Sequence, residues 1–496
     1  MTPDPSTTPD ATDGASDAAV SNVVLVTVDS LRADAIAPYD SERRSPVMGR
    51  LGEDGTVFDH AFATGNWTPF SFPSILASEP VFARNGEIGV EGSETLAETL
   101  SEAGVETGGF NAANGFLTEH WGYPDGFDEF EPFVTSVGSS VYSRYLAAHP
   151  TVEAWVQLAT SPIRRLGSKL RGEADDRPFL DASRMFDVED AATGFVAGAD
   201  EPFFLWIHYM DTHTPYVPAP RYIREVSEGL VGTHRMLHAH TRTSLGLTVG
   251  ERTLDDLRTL YQAAVRQVDA SVGRLLDSLD AAGVADNTAV LLAGDHGEEF
   301  QEHGHLAHYP KLYDELIRVP FVADVPGFDG GRVDEHVGLE AIPPTVADLL
   351  GVDPPDEWHG ESLVPALRGT TDDRAGGTDD APVVSVTVRG DEVTQQPIPR
   401  SLSDGELLVS ARDAEWTYIE NVDSGDSELY RRSTDPTQQD DLTEDPDETA
   451  QRAIDRLAPI AADHAELLRE RGAAATAGDG EVGDDLEARL EALGYR

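Results

Sequence analysis

The chain of 496 residues is long enough to bury one large hydrophobic core or two, and a hydrophobic content of 40% suits a globular enzyme. Its 90 acidic residues against 36 basic ones give a formal net charge of −54, which argues against nucleic-acid binding because phosphate contacts need clustered lysine and arginine. The chain has no cysteine, which excludes disulfides, thiolate metal sites and cysteine nucleophiles.

Acidic residues are spread along the whole chain, and only Lys169 and Lys311 among the basic residues are lysine. Charge repulsion of this size destabilises a compact state at low salt, but in molar salt the Debye length falls to ~3 Å and the repulsion is screened. The composition resembles that of proteins from salt-in halophilic archaea. We therefore expect a halophilic, archaeal-type acidic protein.

Composition also suggests how the chain is divided. Residues 1–21 have neither a basic nor an apolar signal region and are expected to form a disordered acidic tail. No stretch reaches the ~20 apolar residues of a membrane span, which predicts a cytoplasmic protein. The next predicted segment is a catalytic domain over 22–370, with an irregular, partly basic insertion at 134–200. A linker at 371–381, a C-terminal α+β subdomain at 382–471, and a low-complexity tail with a short terminal helix at 472–496 are predicted to follow it.

Three apolar runs predict buried strands of a parallel sheet: Val23–Val28, Phe203–Ile207 and Thr288–Leu292. Each run leads into polar residues, which are Asp29 after the first, Asp211 and His213 after the second, and Asp295 and His296 after the third. Ligands of open α/β sheets gather at the carboxyl ends of the strands. These side chains are therefore candidates for a common site.

Thr68 and Pro69 have the form of a helix start, with a hydroxyl cap followed by a proline at the first helical position. The segment before them, Ser45–Phe58, is interpreted as a helix and a turn. A helix N-terminus attracts anions through its partial positive charge. Thr68 is thus either a simple cap or part of an anion site.

The remaining pattern alternates helices and strands with short connections, which predicts a doubly wound, mostly parallel central sheet. The predicted elements include helices over Ser93–Gly104, Leu254–Leu279 and Leu339–Leu350, a strand over Glu106–Asn111, a loop over Gly122–Phe133, and a turn of helix followed by a strand within Leu312–Val322. Residues 382–435 alternate like antiparallel strands and precede a helix over Glu448–Arg471. A smaller C-terminal antiparallel sheet plus helix is expected there.

The predicted insertion carries the main basic cluster of the chain, formed by Arg164, Arg165, Lys169, Arg171 and Arg177. It would cover the substrate, lie on an anionic surface, or be an ion-paired helical insertion.

The residues at the strand ends suggest a metal centre. Carboxylate oxygens, an imidazole and a hydroxyl suit one Mg²⁺, Mn²⁺, Ca²⁺ or Zn²⁺ ion. Such an ion would activate the Thr68 hydroxyl and hold an anionic ester beside it.

At the level of whole motifs, the chain resembles the sulfatase family of the alkaline-phosphatase superfamily over residues 22–470. The matching motifs, in order, are Val24–Arg32, Ser45–Phe58, Trp67–Ser71, His208–Tyr216, Asp286–Glu298, Leu312–Pro320, Pro344–Thr345 with Gly360–Leu363, and Glu428–Pro436. The resemblance implies an alkaline-phosphatase-like fold and a metal-dependent ester hydrolase.

The resemblance also implies roles for individual residues. The ligands of the single metal ion would be Asp29, Thr68, Asp295 and His296. Thr68 stands where the family keeps its nucleophile, and His213 and His308 stand near residues that contact the transferred or leaving group. Candidate substrate-binding residues are Ser30, Asn111, Asp211 and His303.

Three departures from the family pattern bear on the chemistry. Formylglycine sulfatases convert a Cys or Ser that precedes a Pro-x-Arg signature, but here the residue is Thr68 and Phe72 replaces the arginine, so formylglycine cannot form. Ser30 replaces the second aspartate of the usual pair. The segment Asn111–Asn114 lacks the Gly-Lys-Trp-His stretch of typical arylsulfatases.

The expected function is hydrolysis of a sulfuric or phosphoric ester, which a glycan or a lipid would carry. A sulfated threonine cannot collapse to an aldehyde, whereas a phosphorylated threonine can be cleaved by attack at phosphorus. The threonine thus favours phosphoesters or phosphodiesters, including transfer to an acceptor as in phosphoglycerol-transferase relatives. The alternative is a catalytically silent protein that binds an anionic glycan or lipid head group.

Overall fold

The computed structural model describes residues 20–134, 183–229, 231, 234–235, 238–239, 242, 249–369, 381–390 and 398–478. The strands are β1 (Asn22–Val28), β2 (Thr56–Phe62), β3 (Glu106–Asn111), β4 (Glu129–Glu131), β5 (Phe203–Tyr209), β6 (Thr288–Gly294), β7 (Glu299–Phe300), β8 (Leu306–Ala307), β9 (Arg318–Asp324), β10 (Gly331–Gly338), β11 (Val383–Arg389), β12 (Glu406–Arg412), β13 (Trp416–Asn421) and β14 (Ser427–Arg431). The α-helices are α1 (Pro46–Asp54), α2 (Thr68–Ala77), α3 (Leu96–Glu102), α4 (Met185–Gly198), α5 (Pro220–Val226), α6 (Glu251–Ala282), α7 (Asp314–Ile317), α8 (Ile342–Leu349), α9 (Val364–Leu367) and α10 (Glu448–Gly478).

Eight strands form the central sheet in the order β10-β2-β9-β6-β1-β5-β3-β4. All neighbouring pairs are parallel except those of β9, which runs antiparallel to both β2 and β6. The sheet confirms the predicted fold class of a mostly parallel, doubly wound α/β protein. The sequence of short β–α connections is the physical reason, since parallel neighbours need a crossover between them.

Helices cover both faces of this sheet. Along β1, Val23 and Leu25 pack into a core layer that includes α2 and the C-terminal sheet, whereas Val24 and Val26 pack into the layer that includes the long helix α6. Alternating side chains therefore reach opposite layers, as the pleat requires. This explains why β1 is apolar at every position except Asn22 and Thr27, and why all of its residues are buried.

A second, antiparallel sheet has the order β11-β12-β13-β14, and α10 follows it in the chain. It is joined to the central part of the molecule by the Val386 N–H, which donates to the Thr64 carbonyl over 2.9 Å, and by the Ser385 hydroxyl, which donates to Ala63 over 2.7 Å. The predicted C-terminal sheet is confirmed. Its position matters for the site because the joined segment, residues 63–65, leads directly into α2.

Several local predictions need correction. The segment predicted as helix and turn over Ser45–Phe58 holds α1 and the start of β2. The predicted loop over Gly122–Phe133 contains the three-residue strand β4. Helix α2 begins at Thr68 itself and its N-cap is Trp67, so Thr68 is not the cap and its hydroxyl is free for other contacts.

Of the predicted irregular insertion, the described part forms the regular helix α4, while the basic cluster lies outside the described residues. Within the described residues, no helix is both long enough and apolar enough to cross a membrane.

Candidate active site

The carboxyl ends of three neighbouring strands meet at one edge of the central sheet. In the ladder, Val28 of β1 lies beside Tyr209 of β5 on one side and Gly294 of β6 on the other. The chain therefore brings Asp29 and Asp295 together immediately beyond the sheet. The convergence expected from the three apolar runs is present.

Ser30 turns the chain sharply after β1. Its φ of 57° lies in the left-handed region, which is unfavourable for a serine and is held by surrounding contacts. Its N–H donates to Asp295 Oδ1 over 3.1 Å, and its carbonyl accepts from the Tyr261 hydroxyl over 2.8 Å. The same hydroxyl accepts from the Arg32 N–H over 2.9 Å. Helix α6 thus fixes the turn that carries Asp29.

Asp29 is fully buried and is the centre of the polar contacts. Its Oδ1 accepts from the Ser30 hydroxyl over 2.8 Å, and its Oδ2 accepts from Asn114 Nδ2 over 3.3 Å and from the Thr68 hydroxyl over 3.2 Å. Burial opposes ionisation, but the positive field of His213 and contacts with two further imidazoles outweigh it and lower the pKa of Asp29 below its usual range. Asp29 is therefore the anion of the site.

Thr68 enters the site from the first residue of α2. Besides its bond to Asp29, its Oγ1 lies 3.5 Å from His296 Nε2. The side chain is buried but lines the pocket. A hydroxyl between a carboxylate and an imidazole, at the wall of a pocket, has the surroundings that an activated nucleophile needs.

Asp295 uses only one of its carboxylate oxygens within the described residues. Oδ1 accepts from the Ser30 and His296 N–H groups, whereas the buried Oδ2 has no hydrogen-bond partner. Burial and, after it, the negative charge of Asp29 raise the pKa of Asp295 well above its ordinary value. Two carboxyl groups this close are costly unless a cation lies between them.

His208, the sixth residue of β5, faces the same space. Its Nε2 is buried without a hydrogen-bond partner and lies 3.8 Å from Asp29 Oδ2. One ligand atom each from Asp29, His208 and Asp295 lies within 4.8 Å of the others. Two buried polar atoms without hydrogen-bond partners, Asp295 Oδ2 and His208 Nε2, therefore lie near the Asp29 carboxylate. This set of groups fits a divalent metal ion, and Thr68 and His296 lie beside it.

His296 is held by the tight loop after β6. Its Nδ1 lies 2.9 Å from the Gly297 carbonyl and its Nε2 lies 3.6 Å from Asp29 Oδ1. Burial lowers the pKa of His296 to about 4. Gly297 allows the loop to pack against α7, because a Cβ there would lie 2.0 Å from the Glu315 carbonyl oxygen.

Two further imidazoles line the outer part of the site. The His308 ring lies 4.9 Å from those of His213 and His296. Its Nδ1 is 3.0 Å from Oε2 of the buried Glu298, whose other oxygen accepts from the Tyr216 hydroxyl. Burial lowers the pKa of His308 and raises the pKa of Glu298 to about 7. His213 is oriented by its Nδ1, which lies 2.6 Å from the Thr214 carbonyl.

The pocket that these groups face has a partly apolar rim. Besides Asp29, Thr68, His213, His296 and His308, it is lined by Trp67, Pro69, Asn114, Gly115, Phe116, Met210 and Ile398. The described lining contains no lysine and no arginine. Imidazoles, an amide and apolar side chains therefore surround whatever group enters it.

None of the four predicted substrate-binding residues lines the described pocket, although Ser30 contacts Asp29 and Asp295. Asp211 accepts from Gln267 of α6 over 2.6 Å, and His303 is stacked on Tyr313 and bonded to Glu315. Ser30 and Asn111 are buried and bonded to neighbouring polar groups. Asn111 donates to the Asn114 and Leu117 carbonyls, so it shapes the loop and acts only through Asn114.

The sequence reading missed Asn114, His208 and Glu298. Asn114 sits in a loop with no periodic signal, and Glu298 lies inside a matched motif but its role depends on His308. A signal existed for His208, since a histidine in an otherwise apolar, buried strand needs a buried polar partner.

Comparison with known proteins identifies the family. The family model described as Sulfatase matches residues 21–352, about two thirds of the chain. The chain belongs to the sulfatase family. Among curated relatives of this chain, the multifunctional alkaline phosphatase superfamily protein PehA of Trinickia caryophylli is 28% identical over 37% of this chain and 40% of its own length. The ulvan-active sulfatase of Formosa agariphila is 26% identical over 54% and 50%.

A solved structure supports the same fold. The phosphonate monoester hydrolase of Agrobacterium radiobacter superposes with a TM-score of 0.64 over 91% of this chain and 96% of its own, at 19% identity. The aligned part of this chain spans about half the length of the curated relatives named above, or less. Family and fold are thus established.

Proposed function

We propose that this sulfatase-family protein is a metal-dependent hydrolase of a sulfuric or phosphoric ester, with Thr68 as its nucleophile. The observation that carries the proposal is the position of the Thr68 hydroxyl, 3.2 Å from Asp29 Oδ2 and 3.5 Å from His296 Nε2 at the wall of the pocket. The similarity to a multifunctional alkaline phosphatase superfamily protein and to an ulvan-active sulfatase supports the same class of reaction.

In this mechanism, Thr68 Oγ1 forms a bond to sulfur or phosphorus while the bond to the leaving oxygen breaks. Asp29 Oδ2 accepts the Thr68 hydrogen bond and so orients the hydroxyl, whose proton leaves to solvent because a bound divalent ion would lower the pKa of that hydroxyl. A bound divalent ion, held by Asp29, Asp295, His296 and Thr68, would stabilise the negative charge that develops. Water then attacks the same sulfur or phosphorus, and the bond to Thr68 Oγ1 breaks.

His308 is the proposed proton donor to the leaving oxygen. Glu298 Oε2 lies 3.0 Å from its Nδ1 and orients the ring, so that Nε2 is the nitrogen proposed to face the leaving oxygen. His213 lies beside it and contacts the transferred group.

The threonine narrows the substrate class to phosphodiesters or phosphomonoesters in preference to sulfate esters. An ester of Thr68 can be cleaved only by attack at the transferred atom, which phosphorus tolerates better than sulfur. The described pocket lining also lacks a lysine or arginine to balance a dianion. A singly charged diester, on a glycan or a lipid, therefore suits the site best, with transfer to an acceptor as the alternative to hydrolysis.

The test uses the purified full chain in molar KCl with added Mg²⁺, Mn²⁺, Ca²⁺ or Zn²⁺. Release of nitrophenol is measured from its sulfate, its phosphate and its bis-ester with phosphate. We expect the bis-ester to be turned over fastest. Thr68→Ala and Asp295→Ala should abolish the activity, whereas Thr68→Ser, which keeps the hydroxyl, should retain part of it.

The result that contradicts the proposal is activity unchanged in Thr68→Ala. Tight binding of an anionic glycan or lipid head group without turnover, unaffected by Thr68→Ala, would instead identify a binding protein. Chain folding is checked in each variant by its urea midpoint, so that loss of structure is not taken for loss of chemistry.

We further propose that the chain works at high salt, as in proteins of halophilic archaea. The support is the net charge of −54 and the presence of only two lysines. Cytoplasmic location and the division into a catalytic domain, linker and C-terminal subdomain remain predictions of the sequence.

A further inference from the structure

We propose that His208 is a ligand of the metal ion, and that the centre therefore selects Zn²⁺ over Ca²⁺ and Mg²⁺. The inference rests on the proposed metal site and adds a nitrogen ligand that the motifs do not include. Its support is the hydrogen bonding of the His208 ring.

The tautomer of His208 is set by Thr27 of β1. The Thr27 hydroxyl donates its single hydrogen to the Ile207 carbonyl over 3.2 Å and accepts from Trp206 Nε1 over 3.0 Å. With the hydroxyl hydrogen on the Ile207 carbonyl, Thr27 is the acceptor in its contact of 3.0 Å with His208 Nδ1. In that arrangement Nδ1 carries the imidazole hydrogen, and Nε2 presents its lone pair to the site.

That lone pair is directed at negative groups. Nε2 is 3.8 Å from Asp29 Oδ2, and it is buried without a hydrogen-bond partner among the described residues. The edge-on contact with Phe72, at a ring separation of 4.9 Å, keeps the ring from turning away. A lone pair held against a carboxylate is stabilised by a cation between the two groups. Metal-bound histidines have this arrangement, in which one ring nitrogen binds the metal and the other donates a hydrogen bond to a fixed acceptor, here Thr27.

His296 has the same arrangement, since its Nδ1 contacts the Gly297 carbonyl and its Nε2 faces Asp29 and Asp295. The donor set is then two imidazole nitrogens and two carboxylates. Ca²⁺ and Mg²⁺ prefer oxygen ligands, whereas imidazole suits Zn²⁺. The second imidazole therefore shifts the preference of the centre toward Zn²⁺.

The experiment measures metal binding and does not depend on turnover. Metal-stripped full-length protein in molar KCl is titrated with Zn²⁺ and with Ca²⁺ by calorimetry. His208→Asn keeps an amide N–H for Thr27 but removes Nε2. We expect it to weaken Zn²⁺ binding at least about tenfold, as loss of a ligand-ordering contact already does in metal sites, with a much smaller effect on Ca²⁺. His60→Asn, at a remote, half-buried histidine of β2, is the matched control.

Zn²⁺ affinity unchanged in His208→Asn overturns the inference. Asp295→Asn separates this failure from failure of the proposed site. If Asp295→Asn loses Zn²⁺ and His208→Asn does not, only the role of His208 is wrong. If neither loses Zn²⁺, the ion binds elsewhere and the proposed centre falls with it. Should His208→Asn not fold, X-ray absorption at the zinc edge of the wild-type protein decides, since two imidazoles support the inference and one overturns it.

Discussion

Replacing Tyr261 by phenylalanine tests whether helix α6 positions the active site. The hydroxyl donates to the Ser30 carbonyl over 2.8 Å and accepts from the Arg32 N–H over 2.9 Å, and both groups flank the strained turn after Asp29. Each hydrogen bond contributes about 1 kcal/mol, and each buried group left unpaired costs more. We therefore expect Tyr261→Phe to lower the free energy of unfolding by about 2–4 kcal/mol.

The matched control is Tyr123→Phe. Tyr123 is equally buried, but its hydroxyl has no hydrogen-bond partner among the described residues, so its removal should leave stability unchanged or raise it. Urea unfolding in molar KCl measures both variants. Esterase activity should also fall at least about tenfold in Tyr261→Phe, because Asp29 loses its fixed position. Equal unfolding midpoints for the two variants would refute the role assigned to Tyr261.

Three further predictions concern charge and protons. Raising KCl from about 0.1 M to 1 M should raise the urea midpoint, because the Debye length falls from about 10 Å to about 3 Å, whereas an uncharged osmolyte of equal osmolality should raise it less. Burial raises the pKa of Asp269 to about 6 from 3.8. The unfolded chain therefore binds fewer protons than the folded chain between these pH values, and the free energy of unfolding falls as pH rises through them. Asp269→Asn, which keeps the acceptor for the Val47 N–H, should show a smaller fall in urea unfolding, and a pH profile equal to that of the wild type would contradict this. Glu298→Gln should slow ester turnover about 10–100-fold through His308 without changing Zn²⁺ affinity, and a loss of metal instead would contradict the role of Glu298.

The strands that carry the site were predictable because they are continuous apolar runs. Val23–Val28 and its two neighbours are buried on both faces, and so their sequence pattern and their polar ends are distinctive. Strand β2 was not predicted, since Asp59 and His60 interrupt its apolar character and are only partly buried. Edge strand β10 lacks a continuous apolar run as well, since half of its eight residues are polar and six of them are exposed or partly buried.

Prediction of single residues was limited by their tertiary partners. Tyr261 lies within the predicted helix Leu254–Leu279, and nothing local indicates that its hydroxyl reaches Ser30, more than two hundred residues away. Asp211 and His303 lie beside motif residues in the chain but point to Gln267 and Glu315. Nearness in sequence to a catalytic motif does not fix the direction of a side chain.

The role of Thr68 as the nucleophile is tested most directly by trapping the group transferred to it. Wild-type protein turning over bis(nitrophenyl) phosphate in molar salt is quenched in acid, digested and analysed by mass spectrometry. We expect the peptide containing Thr68 to gain the mass of the transferred phosphoryl ester, and Thr68→Ala to give neither the modified peptide nor product. Product formation by Thr68→Ala at the wild-type rate, with Thr68 unmodified in the wild-type protein, would contradict it.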